Sequence, residues 1–144
     1  MSETTPYRKQ EQEPATDEIT EVAPGILRLQ LPVSLPGLGH VNCYAIEDER
    51  GVALVDPGLP DADSFDALVG RLADAGYELR HVHTAIVTHS HMDHFGGVHR
   101  LRQETDADML SHASFRRTMR RSEARETLDV EALELTTDAA CPTE

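Results

Sequence analysis

Apolar and polar residues alternate along residues 26–31 (ILRLQL) and again along 41–47 (VNCYAIE), the period of two that a half-buried strand requires. Asp48, Glu49 and Arg50 then predict a hairpin turn, after which GVALVD at 51–56 runs nearly continuously apolar, as a central strand buried on both faces would. Asp56-Pro57-Gly58 stops it. Across 61–75 the residues Phe65, Leu68, Val69 and Leu72 fall at helical spacing, with Asp61, Asp63, Ser64 and Asp66 crowding the N-terminal end, where acidic groups suit the helix dipole. Gly76 stands where a left-handed C-cap residue belongs, and HTAIVT at 83–88 reads as a second buried strand. Two strands bracketing a helix imply a parallel crossover, so the pattern predicts an α/β fold. Gly96-Gly97 opens a further short helix through Val98 and Leu101, and 107–111 predicts another short strand with His112 at its exit.

The flanks lack this periodicity. Residues 1–22 are polar and charged and cannot bury enough apolar surface to offset the entropy of ordering them. They predict a disordered tail, with order beginning near Gly25 and one domain running over 23–115. Residues 116–144 predict a charged helix and an acidic tail: Arg116, Arg117, Arg120 and Arg121 come first, and Glu123, Glu126, Asp129, Glu131 and Glu134 follow. Such charge runs are most simply a solvated face.

Charge narrows the partners. With 26 acidic against 13 basic residues the net charge is −13, so a surface that tracks phosphates is hard to build and nucleic acid is not an expected partner. Cys43 and Cys141 suggest neither a disulfide framework nor a metal clip, and Cys43, alternating with Val41 and Ala45, reads as a small buried apolar residue. No apolar run approaches the roughly 20 residues that span a bilayer, and 1–22 lacks a signal-peptide core. A cytoplasmic protein with no membrane partner is expected.

The candidate chemistry lies at 88–97, THSHMDHFGG, directly after the second apolar strand. While the backbone stays extended, His89, His91 and Asp93 project to one side, and His94 can swing toward the same space where the chain turns at Phe95-Gly96-Gly97. The carboxyl end of a strand is also where ligands collect in open α/β sheets. Imidazole nitrogen and carboxylate oxygen form the ligand set of catalytic zinc. His81 and His83 make a second His-x-His, but they lie where the strand begins and so belong at its opposite end. His40, His99 and His112 read as surface residues.

The stretch THSHMDHFGG resembles the HxHxDH signature of the metallo-β-lactamase superfamily, and GHVNCYAIEDERGVALVDPG at 39–58 resembles the paired first strands of that family with their Asp-x-Gly turn. The resemblance runs from about Gly25 to His112. It implies an αββα sandwich of which this chain supplies the first half, a mixed sheet with flanking helices. It implies that His89 and His91 ligate one metal, that Asp93 and His94 ligate a second, that Asp93 also orients the bridging hydroxide, and that Asp56 supports the ligands by hydrogen bonding. Two zinc ions are implied for a complete site, with iron as the alternative. A histidine at position 91 is usual for the hydrolases, whereas the diiron oxygen-reducing flavoproteins carry glutamate there.

The implied reaction is hydrolysis of an acyl bond, such as a thioester or lactone in a small molecule, with glyoxalase II-like thioesterases as the nearest style. A single-iron enzyme like the persulfide dioxygenases is the alternative, and a metal-binding or interaction module without catalysis is the third reading. The family's downstream ligands, a histidine in a Gly-His turn, a bridging aspartate and a final histidine, find no match after His112. A truncated chain is therefore expected to hold one metal weakly, and its uncovered sheet face to favour self-association.

Overall fold

The computed structural model describes residues 7–115. A six-stranded mixed sheet runs in the order β1 (Thr20–Ala23), β2 (Ile26–Pro32), β3 (His40–Asp48), β4 (Gly51–Val55), β5 (Val82–Val87) and β6 (Asp108–Ser111). The first four strands form an antiparallel meander, and β4, β5 and β6 are parallel. α1 (Ala62–Asp74) makes the crossover from β4 to β5, and α2 (Met92–Phe95) with α3 (Gly97–Glu104) makes that from β5 to β6.

Local chemistry places the joints. The Asp48 carboxylate accepts from the Arg50 amide at 2.8 Å, closing the β3–β4 turn as an Asx turn. Asp61 caps α1 by accepting from the Ser64 amide at 2.8 Å, and Gly76 ends that helix region at φ 91°, in the left-handed conformation predicted from its position.

Phe65, Leu68 and Leu72 of α1 and Val98 and Leu101 of α3 pack on Leu29, Leu31, Val41, Cys43, Ala45, Val52, Leu54, Val82, Ala85 and Val87, all in one core. Both helices therefore cover the same face of the sheet. The opposite face carries Ile46, Ala53, Val55 and Ile86, which stay half-buried, and Leu110, which is exposed. This corrects the expectation that 51–56 is buried on both faces: Val52 and Leu54 are fully enclosed, but Ala53 and Val55 alternate away from the helices.

The boundary at Gly25 is also corrected. β1 lies ahead of it, and residues 9–16 form a strap with a 3-10 turn at Gln10–Gln12. The strap is tied down by hydrogen bonds that leave no hydrophobic signature: the Gly39 amide donates to the Glu11 carbonyl (2.8 Å), and the Thr16 amide donates to Gln30 Oε1 (2.9 Å). His40, read from the sequence as a surface residue, is buried beneath it, 2.7 Å from the Glu13 carbonyl through Nδ1. A Cβ on Gly39 would collide with that same carbonyl, so glycine is what lets the strap approach the sheet. The segment 116–144, expected to be a charged helix and tail, lies outside the described residues.

Candidate metal centre

β4 and β5 are adjacent and parallel, so their carboxyl ends open on one spot, and the chain delivers Asp56 from one and 88–94 from the other. Asp56 is 6% exposed and adopts φ 55°, a left-handed conformation that costs most residues free energy but that aspartate tolerates. Its amide donates to the Ile86 carbonyl at 2.9 Å, which continues the β4–β5 ladder past the end of the strand.

The Asp56 carboxylate gathers three donors. Oδ1 accepts from the Thr88 amide at 2.9 Å, and Oδ2 lies 2.6 Å from the Thr88 hydroxyl and 3.0 Å from His94 Nδ1. Burial raises the carboxyl pKa, but the hydrogen bonds from His94 and Thr88 outweigh it and the net shift is downward. His94 shows the counterpart: burial lowers its pKa, the hydrogen bond to Asp56 and the charges of Asp93 and Asp56 raise it, and the net shift is upward. Burial and the neighbouring His94 lower the pKa of His89 against the opposing pull of Asp56 and Asp93, a shift in favour of the neutral ring that a metal ligand needs.

A glycine pair makes this approach possible. The Gly97 amide donates to the Gly58 carbonyl at 2.8 Å, and a Cβ on Gly97 would strike the Pro57 carbonyl. A Cβ on Gly96 would lie 2.5 Å from Pro60 Cδ. The start of α3 thus sits directly on the loop that follows Asp56, and α2 is brought close enough for His94 to reach the carboxylate.

Asp56, His89 and His94 each offer a ligand atom, and these atoms all lie within 4.8 Å of one another. The His89 and His94 rings are 4.1 Å apart and the His91 ring is 4.7 Å from His89. Asp93 Oδ2 lies 3.4 Å from His94 Nε2. The five positions singled out in the sequence therefore share one locality, but not in the way an extended backbone would arrange them. The helix starts at Met92, so Asp93 reaches the site from the first turn of α2. His91, at the N-cap of that helix, is exposed. Asp56, expected only as support, itself lies within 4.8 Å of ligand atoms of His89 and His94.

Nitrogen and carboxylate oxygen at this spacing fit a divalent transition metal. Both oxygens of Asp56 already accept from protein donors, which suits a carboxylate that orients a histidine ligand. His83, in contrast, pairs with Asp48 at 3.1 Å at the other end of β5, and His112 contacts the Ser114 hydroxyl at 2.6 Å. The Thr88 hydroxyl was missed in the sequence, although a hydroxyl immediately before a ligand-type histidine is a legible signal.

The metallo-beta-lactamase superfamily model matches residues 36–134, more than half of the chain. The chain belongs to the metallo-beta-lactamase superfamily. Over 81 residues it is 36% identical to a hydroxyacylglutathione hydrolase of Albidiferax ferrireducens, covering 56% of this chain and 29% of that protein. It is 37% identical over 68 residues to the uncharacterized protein YobT of Bacillus subtilis, covering 47% of this chain and 27% of YobT. The chain thus spans less than a third of the curated relatives it matches. Among solved structures, the metallo-beta-lactamase family protein TTHA1429 of Thermus thermophilus superposes with a TM-score of 0.54 at 34% identity, over 58% of this chain and 27% of that one. BJP-1, a subclass B3 metallo-beta-lactamase of Bradyrhizobium japonicum, gives a TM-score of 0.55 at 21% identity over 69% and 34%, a likeness of fold alone. The mixed sheet with flanking helices agrees with the first part of the superfamily fold. No helix among the described residues is long and apolar enough to cross a membrane.

Proposed function

We propose that the site at the ends of β4 and β5 serves a zinc-dependent hydrolase acting on an acyl bond of a small molecule, a thioester or lactone. The observation that carries this reading is the convergence of Asp56, His89 and His94 ligand atoms within 4.8 Å, with His91 and Asp93 beside them. The similarity to a hydroxyacylglutathione hydrolase supports a thioester as the first substrate class to try.

The residues divide the work. His89, His91, Asp93 and His94 would hold metal, and Asp56 orients His94 through Nδ1, leaving Nε2 for the ion. A bound zinc supplies a water that ionises near neutral pH and an electrophile for a carbonyl oxygen. Asp93, whose carboxylate lies beside His94, would accept a proton from water and orient it. The acidic surface disfavours a polyanionic substrate.

Expression in medium replete in zinc and iron, followed by metal analysis and a screen of thioesters, lactones and nitrocefin, tests the reading. About one zinc per chain is expected, with slow thioester or lactone turnover that a chelator abolishes. Stoichiometric iron would favour a persulfide dioxygenase-like enzyme on the same donors. No bound metal, or turnover unaffected by chelation, would overturn the proposal.

A further inference from the structure

Thr88 follows the last residue of β5 and precedes His89. Its hydroxyl lies between two groups, 2.6 Å from Asp56 Oδ2 and 2.8 Å from His89 Nδ1. A hydroxyl has one proton to give, and an ionised carboxylate can only accept. The proton is therefore directed at Asp56, and the remaining Thr88 lone pairs face His89 Nδ1, which can satisfy the contact only by carrying a hydrogen. On the other side, His94 Nδ1 is 3.0 Å from the same Asp56 oxygen and must likewise carry a hydrogen. One buried carboxylate thus faces both rings, His94 directly and His89 through the threonine.

We propose that Thr88 is a positioning residue that relays Asp56 to His89, holding His89 in the Nδ1–H tautomer so that its Nε2 lone pair faces the site together with that of His94. The proposal rests on the metal-site reading above, and it extends it from one oriented histidine to two.

The backbone makes the relay separable from the fold. The Thr88 amide alone fixes Asp56 Oδ1 at 2.9 Å, so a Thr88→Val variant keeps the shape of the side chain and that anchor while losing only the hydroxyl. Thr88 is exposed, so its methyl and hydroxyl do not support the core. Water competes for the hydroxyl at such a position, which makes the effect a strong bias in tautomer population instead of an absolute lock.

Long-range proton–nitrogen NMR of the histidine-labelled, metal-free 144-residue chain, at a pH where the imidazoles are neutral, reads the tautomers directly. The native chain should show pyrrole-type Nδ1 and pyridine-type Nε2 for both His89 and His94. Thr88→Val should move His89 toward the Nε2–H form that dominates in free imidazole side chains and leave His94 unchanged, and Thr88→Ser should restore the native pattern. Zinc affinity by calorimetry should fall about 10- to 100-fold in the valine variant, as is common when the hydrogen-bond partner of a ligand is lost, and recover in the serine variant. A native His89 already in the Nε2–H form, or an unchanged His89 in Thr88→Val, would overturn the relay. If the native tautomers are as stated but no zinc binds, the metal-site reading fails while the relay stands.

Discussion

Asp56 concentrates the electrostatics of the site into one carboxylate, with a left-handed backbone, a 6% exposed side chain and bonds to Thr88 and His94. The pair with His94 gives the metal-free chain one defined contribution to its pH response. The pKa of His94 is raised above 6.5, so its contribution to stability is complete below that value and lost as pH rises through its folded pKa. That of Asp56 is lowered below 3.8, so its contribution is complete above that value and lost as pH falls through its own folded pKa. Denaturant midpoints of the metal-free chain should therefore be highest between these two limits and decline on both sides. In Asp56→Asn both limbs should flatten, and an NMR titration should find the His94 pKa lower than in the native chain. An unchanged His94 titration would show that Asp56 does not hold its proton. Cys43 takes no part: it is fully enclosed in the core, and burial pushes its thiol pKa well above the ordinary range, so the apolar role read from its alternation in the strand is the one it has.

At the scale of elements, the glycines decide whether the two halves of the site meet. Gly97→Ala should destabilise the chain by about 1–3 kcal/mol, the range for forcing an extra carbon into a filled space, and it should also separate His94 from Asp56, because the new Cβ strikes the Pro57 carbonyl. Chemical denaturation and the His94 Nδ1 signal check these two effects independently. Asp61→Ala removes the cap on Ser64 and should cost about 1 kcal/mol without moving His94, which separates loss of helix stability from loss of the site. The elements that periodicity could reveal were legible: β2, β3, the turn at Asp48, α1 with its acidic N-terminal end and Gly76 stop, β5, α3 and β6 follow directly from apolar spacing and turn residues. Residues 9–23 were not, because the strap is held by backbone and glutamine hydrogen bonds, such as Thr16 to Gln30, that demand no hydrophobic pattern. The burial of His40 was hidden for the same reason.

At the scale of the whole molecule, the locality of the site was legible and its geometry was not. A histidine- and aspartate-rich segment after a strand places the donors at a sheet end, but whether Asp93 arrives from an extended chain or from a helical turn depends on where α2 begins. Sequence periodicity does not mark that point, and the turn is held beside Asp56 by the packing of Gly96 and Gly97 against 57–60, a contact between segments far apart in sequence. Similarly, GVALV reads as a doubly buried strand because its side chains are apolar throughout, yet only the face under α1 and α3 is covered among the described residues. The family membership extends to residue 134, and the chain covers 27–29% of its curated relatives.

The proposed function requires that one metal be held at the joined ends of β4 and β5. Calorimetric titration of the metal-free 144-residue chain with zinc tests it most directly. About one zinc per chain is expected, lost in His89→Ala and in His94→Ala and retained in His83→Ala, whose side chain pairs with Asp48 at the opposite end of β5. Zinc binding that survives both of the first two substitutions, or that vanishes with the third alone, would contradict it.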